Sequence, residues 1–142
     1  MTTTVAVSGG FDPAHIGHIR LMQEASKLAD KLIVILNNDN WLKTKKGFAF
    51  MPQEERKEIL EAYDFVSRVV ITAHAENDSD TSVCRELREI HPTIFANGGD
   101  RKEDNIPEYA LCEELGISMV FNVGGEKIQS SSDLVKNTPM KK

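Results

Sequence analysis

Five short apolar runs, most of them rich in β-branched residues, alternate along the chain with segments of helical periodicity. This alternation is typical of βαβ units, in which a helix crosses over between two strands that lie parallel in one sheet. The runs predict strands at residues 4–8, 32–37, 68–72, 93–96 and 119–122. We therefore expect an α/β fold built on a Rossmann-like, doubly wound sheet of five parallel strands.

The segments between the runs predict helices at residues 16–29, 52–63, 82–90 and 107–115, and a last short helix begins at residues 130–132. The apolar residues of the first helix share one face, and they are Leu21, Met22, Ala25, Leu28 and Ala29. In the second helix, Ile59 and Leu60 are predicted to point inward. Irregular segments are predicted at 38–51, 74–81, 97–106 and 124–129. Three of these four follow the carboxyl end of a strand, where open α/β sheets bind ligands.

The size and charge of the chain limit its organisation and its partners. At 142 residues it is about one ordinary domain, expected over residues 1–136 and followed by a frayed tail at 137–142. Hydrophobic residues make up 40% and charged residues 27%, the balance of a soluble globular protein. A formal net charge of -5 argues against nucleic acid or an anionic membrane as a partner. No basic leader or bilayer-length apolar run is present, so we expect a cytoplasmic protein.

Four side chains that often carry chemistry lie in contexts that predict ordinary roles. Cys84 and Cys112 are far apart in sequence and lack a C-x-x-C pattern, so we interpret them as reduced, structural thiols. His74 and His91 lie in or beside loops, without a partner at ligand spacing. We predict that both histidines are surface residues.

The most informative segment is SGGFDPAHIGH, residues 8–18, which leaves the first strand through two glycines and enters a helix at two histidines. Because His15 and His18 are three residues apart, their rings share a face of the first helical turn. The helix amides and the positive end of the helix dipole point the same way, which favours a phosphate group there. Gly17 lets a nucleotide approach the backbone closely. A metal pair is the alternative, but no third ligand is patterned nearby, so we favour phosphate binding.

This G-x-F-D-x-x-H-x-G-H run resembles the signature of the cytidylyltransferase-like nucleotidyltransferases, which include glycerol-3-phosphate cytidylyltransferases and the heptose-phosphate adenylyltransferase domain. Three further segments are similar to family motifs in the same order: the lysine-bearing 43–46 with 52–56, the N-G-G-D turn at 97–100, and the serines at 130–132. The resemblance implies transfer of CMP from CTP to a small phosphorylated or phosphonylated alcohol or amine, with release of pyrophosphate. The alternative is an adenylyltransferase that uses ATP and acts on a sugar phosphate or a cofactor precursor.

The resemblance also implies roles for individual residues. The implied catalytic residues are His15, His18, Lys46 and Ser131. The implied nucleotide-binding residues are Ser8, Gly9, Gly10, Phe11, His15, Gly17, His18, Asn97, Gly99, Asp100, Lys127, Ser130, Ser131 and Ser132. The implied substrate-binding residues are Asp12, Asp39, Lys43, Lys45 and Arg56.

Each assignment has a simpler alternative. The lysines at 43–46 could instead form only a solvated loop, because charge runs are usually solvated. Asp12 and Asp100 fit residues that only close turns, and the serines at 130–132 fit an N-cap. Trp41 either covers a base or closes its loop over the sheet.

The implied reaction is an in-line attack by an acceptor oxygen on the α-phosphorus of the nucleotide. Such an oxygen is already ionised near neutral pH, so no strong general base is needed. Mg²⁺ is implied as the cofactor, held mainly through the nucleotide phosphates and not by a protein metal site. A homodimer is also implied, because the family usually pairs.

Two departures from the family bear on the substrate. Glycerol-phosphate cytidylyltransferases carry an arginine shortly before the serine motif, where this chain has Lys127, and the Gly-Gly-Asp turn is similar to that of sugar-phosphate adenylyltransferases. A non-catalytic nucleotide-binding module is the alternative from another class, but the complete motifs argue against it. An NAD-binding domain is excluded because the first turn lacks G-x-G-x-x-G and no acidic residue closes the second strand.

Overall fold

The computed structural model describes residues 2–98 and 107–124, which form a five-stranded sheet with helices on both faces. Its strands are β1 (Thr4–Gly9), β2 (Lys31–Leu36), β3 (Arg68–Ile71), β4 (Ile94–Ala96) and β5 (Ser118–Val120). Its helices are α1 (Ile16–Ser26), α2 (Asp39–Lys46), α3 (Gln53–Glu61), α4 (Cys84–Ile90) and α5 (Glu108–Leu115). All neighbouring strands pair in parallel, in the order β3-β2-β1-β4-β5. The predicted fold class is confirmed.

Alternate residues of the inner strands feed two separate cores. On one face, Val5 and Val34 pack with Met22 of α1 and Leu60 of α3. On the other face, a second cluster joins the sheet to α4 and α5, and its buried members are Ala6, Ile35, Val83, Leu87, Phe95, Leu111, Cys112 and Ile117. Strands covered on both faces read as continuous apolar runs, which is why the sequence marked them clearly.

The predicted loop at residues 38–51 is partly wrong, because α2 occupies most of it. Asn38 begins this helix by accepting a hydrogen bond from the Trp41 amide at 2.9 Å, and Gly47 ends it in the left-handed conformation with φ 87°. Leu42 is the one buried residue of α2. A helix with a single buried residue has no apolar stripe, so periodicity did not reveal it.

Three predictions about individual side chains are also wrong. Leu28 and Ile59 are each 41% exposed, and Leu28 lies beyond α1 because that helix ends at Ser26. His74 is 2% exposed and lies between the Thr72 hydroxyl, at 2.8 Å, and the Ser82 carbonyl, at 2.9 Å. A buried histidine with a partner on each ring nitrogen has no sequence spacing that identifies it.

The remaining singled-out side chains match their predicted roles. His91 is exposed, and Cys84 and Cys112 are free thiols. Burial raises the pKa of Cys112 to about 11, so this thiol stays protonated near neutral pH. In the described part of the chain, no helix is long and apolar enough to span a membrane.

The loop after β5 makes a very close approach to α1. Gly124 has φ 84°, and a Cβ atom built on it would lie 2.9 Å from the Cα and the amide nitrogen of Leu21. These are backbone atoms, so they cannot move aside as the end of a side chain can. Contact with α1 therefore requires glycine at this position.

Gly124→Ala is expected to lower the free energy of unfolding more than Gly116→Ala does. Gly116 also has positive φ, 74°, but nothing lies within 4 Å of its added Cβ, so the control carries only the backbone cost of about 1–2 kcal/mol. Overpacking against α1 should add about 1–3 kcal/mol at Gly124. Urea unfolding of the two variants measures the difference, and equal losses would contradict the close contact.

Candidate active site

The two histidines of the β1–α1 turn cap the helix that they begin. His15 precedes α1 in an extended conformation, and its ring Nδ1 accepts a hydrogen bond from the Gly17 amide at 3.1 Å. The ring Nδ1 of His18 accepts from the His15 amide, also at 3.1 Å. This reciprocal pair is a capping box built from imidazoles. With Nδ1 as acceptor in both rings, the neutral imidazoles carry their protons on Nε2.

Ring contacts fix the positions of these imidazoles. The rings of His15 and His18 stack with centroids 3.9 Å apart, and the buried ring of Phe11 meets His18 edge-on at 4.8 Å. A Cβ on Gly17 would lie 3.0 Å from Cε1 of His15, so this glycine leaves space for the ring. The spacing of the motif therefore serves the packing of the turn as well as any approach of a ligand.

A cleft of about 440 Å³ opens at the carboxyl ends of the strands. Its lining residues are Ser8, Gly9, His18, Leu21, Asn37, Trp41, Lys45, Thr81, Ser82, Val83, Gly98, Pro107 and Glu108. Among the sequence-predicted site residues, the cleft brings together Ser8, Gly9, His18 and Lys45. Gly10, Phe11 and His15 lie in the β1–α1 turn beside this cleft, and Gly17 lies in the first turn of α1.

One wall of the cleft is tied to α2 by hydrogen bonds that the sequence did not predict. The indole Nε1 of Trp41 donates to the Thr81 carbonyl at 2.8 Å. The side-chain amides of Asn38 and Asn40 both donate to the His74 carbonyl, at 2.8 and 2.9 Å. Trp41 therefore has the packing role that one interpretation gave it, and it also lines the cleft, while its contact with a base stays a prediction.

Sequence reasoning missed two buried polar residues that line the cleft. Glu108 is 1% exposed, and its carboxylate accepts a hydrogen bond from the Val83 amide at 3.0 Å. Asn37, 4% exposed, follows β2 directly. The available signal for Asn37 was strand alternation, which places it on the same face as Ile35. Glu108 resembled an ordinary acidic residue in a first helical turn, so the sequence did not indicate that it is buried beside the cleft.

Three of the predicted substrate-binding residues make their hydrogen bonds within the protein. Asp12 is 6% exposed and accepts from the amides of Phe50 and Met51. Arg56 is 1% exposed and forms an ion pair with Asp39 at 2.7 Å. The predicted lysines are exposed in the last turn of α2, and they are Lys43, Lys45 and Lys46.

Asn97 is the remaining predicted site residue in the described part of the chain. Asn97 is 2% exposed at the end of β4, and its amide donates to the Val120 carbonyl at 2.8 Å. Six predicted residues lie outside the described residues, and they are Gly99, Asp100, Lys127, Ser130, Ser131 and Ser132. Within residues 2–98 and 107–124, no group of three or more histidines, cysteines or carboxylates is placed to hold a metal ion.

Two known proteins of different length are similar to this chain in sequence. The bifunctional protein HldE of Streptomyces coelicolor is 35% identical over 121 residues, which cover 84% of this chain and 25% of that protein. The FAD synthase of Pyrococcus horikoshii is 35% identical over 112 residues, which cover 78% of this chain and 68% of that protein. This chain therefore spans about a quarter of HldE and about two thirds of the FAD synthase.

Solved structures share the fold at lower identity. A lipopolysaccharide core biosynthesis protein from Thermoplasma volcanium superposes with a TM-score of 0.67 at 23% identity, covering 85% of this chain and 94% of that one. The pantoate-beta-alanine ligase of Francisella tularensis gives 0.64 at 18%, covering 97% and 66%. The model of the cytidylyltransferase-like family matches residues 6–135. With its histidine turn at the carboxyl edge of a five-stranded parallel sheet, the chain belongs to the cytidylyltransferase-like family of nucleotidyltransferases.

Proposed function

We propose that this chain transfers AMP from ATP to a small phosphorylated acceptor and releases pyrophosphate. The observation that carries the proposal is the imidazole capping box, in which both ring Nδ1 atoms accept hydrogen bonds from backbone amides and the ring of His18 lines the cleft. Imidazole donors held in this way suit the oxygens of an oligophosphate. Lys45 adds a positive charge to the same cleft.

The reaction needs alignment more than it needs acid–base chemistry. An ionised acceptor oxygen forms a bond to the α-phosphorus, and the bond from that phosphorus to the bridging oxygen breaks, so its electron pair leaves with pyrophosphate. His18 would donate to oxygens that gain charge in this step, and the lysines of α2 would hold the phosphates. Mg²⁺ bound mainly through phosphate oxygens would neutralise further charge.

The relatives favour ATP over CTP, although the resemblance of the sequence motifs had favoured CTP. FAD consists of a flavin nucleotide joined to AMP, and a FAD synthase is 35% identical to this chain. Cytidylyl transfer is the second candidate, supported by the description of the family model that matches residues 6–135. Since the chain spans only 25% of HldE, that protein's activities do not transfer as a whole.

Pyrophosphate release with each of the four nucleoside triphosphates tests the proposal. The acceptor panel should contain a sugar 1-phosphate, a flavin mononucleotide, phosphoethanolamine, glycerol 3-phosphate and a phosphonate. Turnover with ATP is expected. Turnover with CTP alone would support the second candidate, and nucleotide binding without turnover on any acceptor would instead favour a non-catalytic module.

His18→Asn is expected to lower turnover by about 10² to 10³ with nucleotide affinity nearly unchanged. Its cost in stability should be limited to the ring contacts with His15 and Phe11, about 0.5–1.5 kcal/mol each. The Oδ1 atom of asparagine is bonded to Cγ, as Nδ1 of histidine is, so it can still accept from the His15 amide. The substitution removes the Nε2 donor. Steady-state kinetics and urea unfolding measure the two effects. Near-wild-type turnover at saturating substrates would show that the histidine pair is merely structural.

His91→Asn is the matched control for that substitution. His91 is exposed and has φ 47°, a conformation that asparagine tolerates, so activity and stability should both stay unchanged. His18→Ala removes the cap together with the donor, and it should therefore lose stability that His18→Asn keeps.

Lys46→Ala is expected to impair nucleotide affinity and turnover together. Lys46 lies in the exposed last turn of α2, where a charge can hold phosphate in both the ground state and the transition state. Comparison of the nucleotide KM and kcat with those of His18→Asn separates the two roles. A loss confined to kcat would contradict this assignment.

A homodimer is proposed on family grounds, and sedimentation measures it. Two protomers per particle at micromolar concentration are expected. A monomer under those conditions would reject the pairing.

A further inference from the structure

Two buried charged side chains, Asp12 and Arg56, hold the end of the lysine-bearing segment, which we define as residues 43–51. No residue of this segment is buried, and Phe48 and Phe50 are 50% and 52% exposed. Segments without buried side chains have little packing to fix their position. The placement of the lysines therefore depends on how α2 is held and on the contacts that fix residues 50 and 51.

Asp12 holds the far end of the segment. Its two carboxylate oxygens accept hydrogen bonds from consecutive amides, those of Phe50 at 2.5 Å and of Met51 at 2.7 Å. Bonds of this kind, from amides to a carboxylate, are stronger than neutral ones. Because Asp12 is three residues before His15, the end of the lysine-bearing segment is bonded directly to the histidine turn.

Arg56 joins that same end of the segment, together with the start of α2, to the histidine turn. Its guanidinium donates to the carbonyls of Gly10, Asn37 and Met51 at 2.8, 2.7 and 2.9 Å. A fourth bond, at 2.7 Å, goes to the carboxylate of Asp39, the first residue of α2. One side chain thus joins four segments: the β1–α1 turn, the end of β2, the start of α2 and the end of the lysine-bearing segment.

These contacts leave little of either side chain for a ligand. Arg56 is 1% exposed, and four N–H bonds of its five are directed at protein oxygens. Asp12 is 6% exposed, and each of its oxygens has a backbone partner. A substrate would have to displace several charge-assisted hydrogen bonds to reach either group.

We propose that Asp12 and Arg56 are positioning residues that act on AMP transfer through the lysine-bearing segment, without contacting the acceptor. This inference rests on the proposed function and specifies how its lysines are placed. Substitution of Asp12 or Arg56 leaves the lysines present but displaced relative to His18. Misplacement of a binding group by about 1 Å can cost about 10²-fold in rate.

A double-mutant cycle tests the proposal. Asp12→Asn keeps the shape of the side chain but replaces one acceptor oxygen with a donor that faces a backbone N–H. It is expected to lower kcat/KM for ATP by about 10²-fold in the otherwise native chain. In a variant with Lys43, Lys45 and Lys46 all changed to alanine, the same substitution should change kcat/KM by no more than about twofold.

Arg56→Lys enters the same cycle as the conservative variant. One ammonium group cannot reproduce a planar fork that serves three carbonyls and a carboxylate, so lysine should not rescue activity. Asp39→Asn, at a side chain that is 30% exposed, replaces Asp12→Asn if that variant does not fold. It should show a smaller loss with the same dependence on the lysines.

Binding gives a readout that does not depend on turnover. Trp41 is the only tryptophan and lines the cleft, so its fluorescence can report the binding of pyrophosphate or ATP. Asp12→Asn should weaken pyrophosphate binding when the lysines are present and have little effect when they are absent. This result would stand even if no acceptor in the panel gave turnover, so failure of the two proposals is distinguishable.

Two outcomes would overturn the positioning role. Losses from Asp12→Asn and from the lysine substitutions that multiply independently would show that Asp12 does not act through the lysines. An increase in the acceptor KM that persists unchanged in the lysine-less variant would assign Asp12 or Arg56 to acceptor binding.

Discussion

The parallel pairing of β1 with β2 on one side and β4 on the other is the constraint on which the site depends. Parallel strands end at the same edge of a sheet, so the residues that follow them are brought together whatever their separation in sequence. The chain moves outward from β1 to β2 and β3, then returns to the other side for β4 and β5. The β1–α1 turn lies at this point of reversal, where adjacent loops diverge and leave space for a ligand.

The histidine turn combines a structural demand with a chemical one. The first amides of a helix have no partner within it, and here imidazole nitrogens satisfy two of them. The same hydrogen bonds determine which nitrogen of each ring carries the proton. Stacking of the two rings and the edge contact from Phe11 then hold the orientation. The two imidazoles are thus oriented before any ligand arrives.

Around this turn, the hydrogen bonds of buried polar groups join the segments, whereas apolar packing joins them elsewhere in the sheet. Arg56 joins four segments, and His74 joins the end of β3 to the cleft wall. Such groups are stable inside a protein only when their hydrogen bonds are satisfied. Substitution of such a group therefore changes the positions of the segments that it joins and the stability of the chain together. Variants of Asp12 that preserve the shape of the side chain limit the second effect.

The sequence by itself determined the α/β class, the five strands and the histidine turn. Strands buried on both faces produce unbroken apolar runs, and Gly9, His15 and His18 lie close enough in sequence to define their own local geometry. It did not reveal α2, whose only buried residue is Leu42, or the burial of His74. Only the tertiary structure showed that Asp12 and Arg56 are bonded to protein groups, because their partners lie on segments up to 46 residues away. Local patterns fix what neighbouring residues can form, whereas the partners of a buried charge are decided by which distant segments the fold brings into contact.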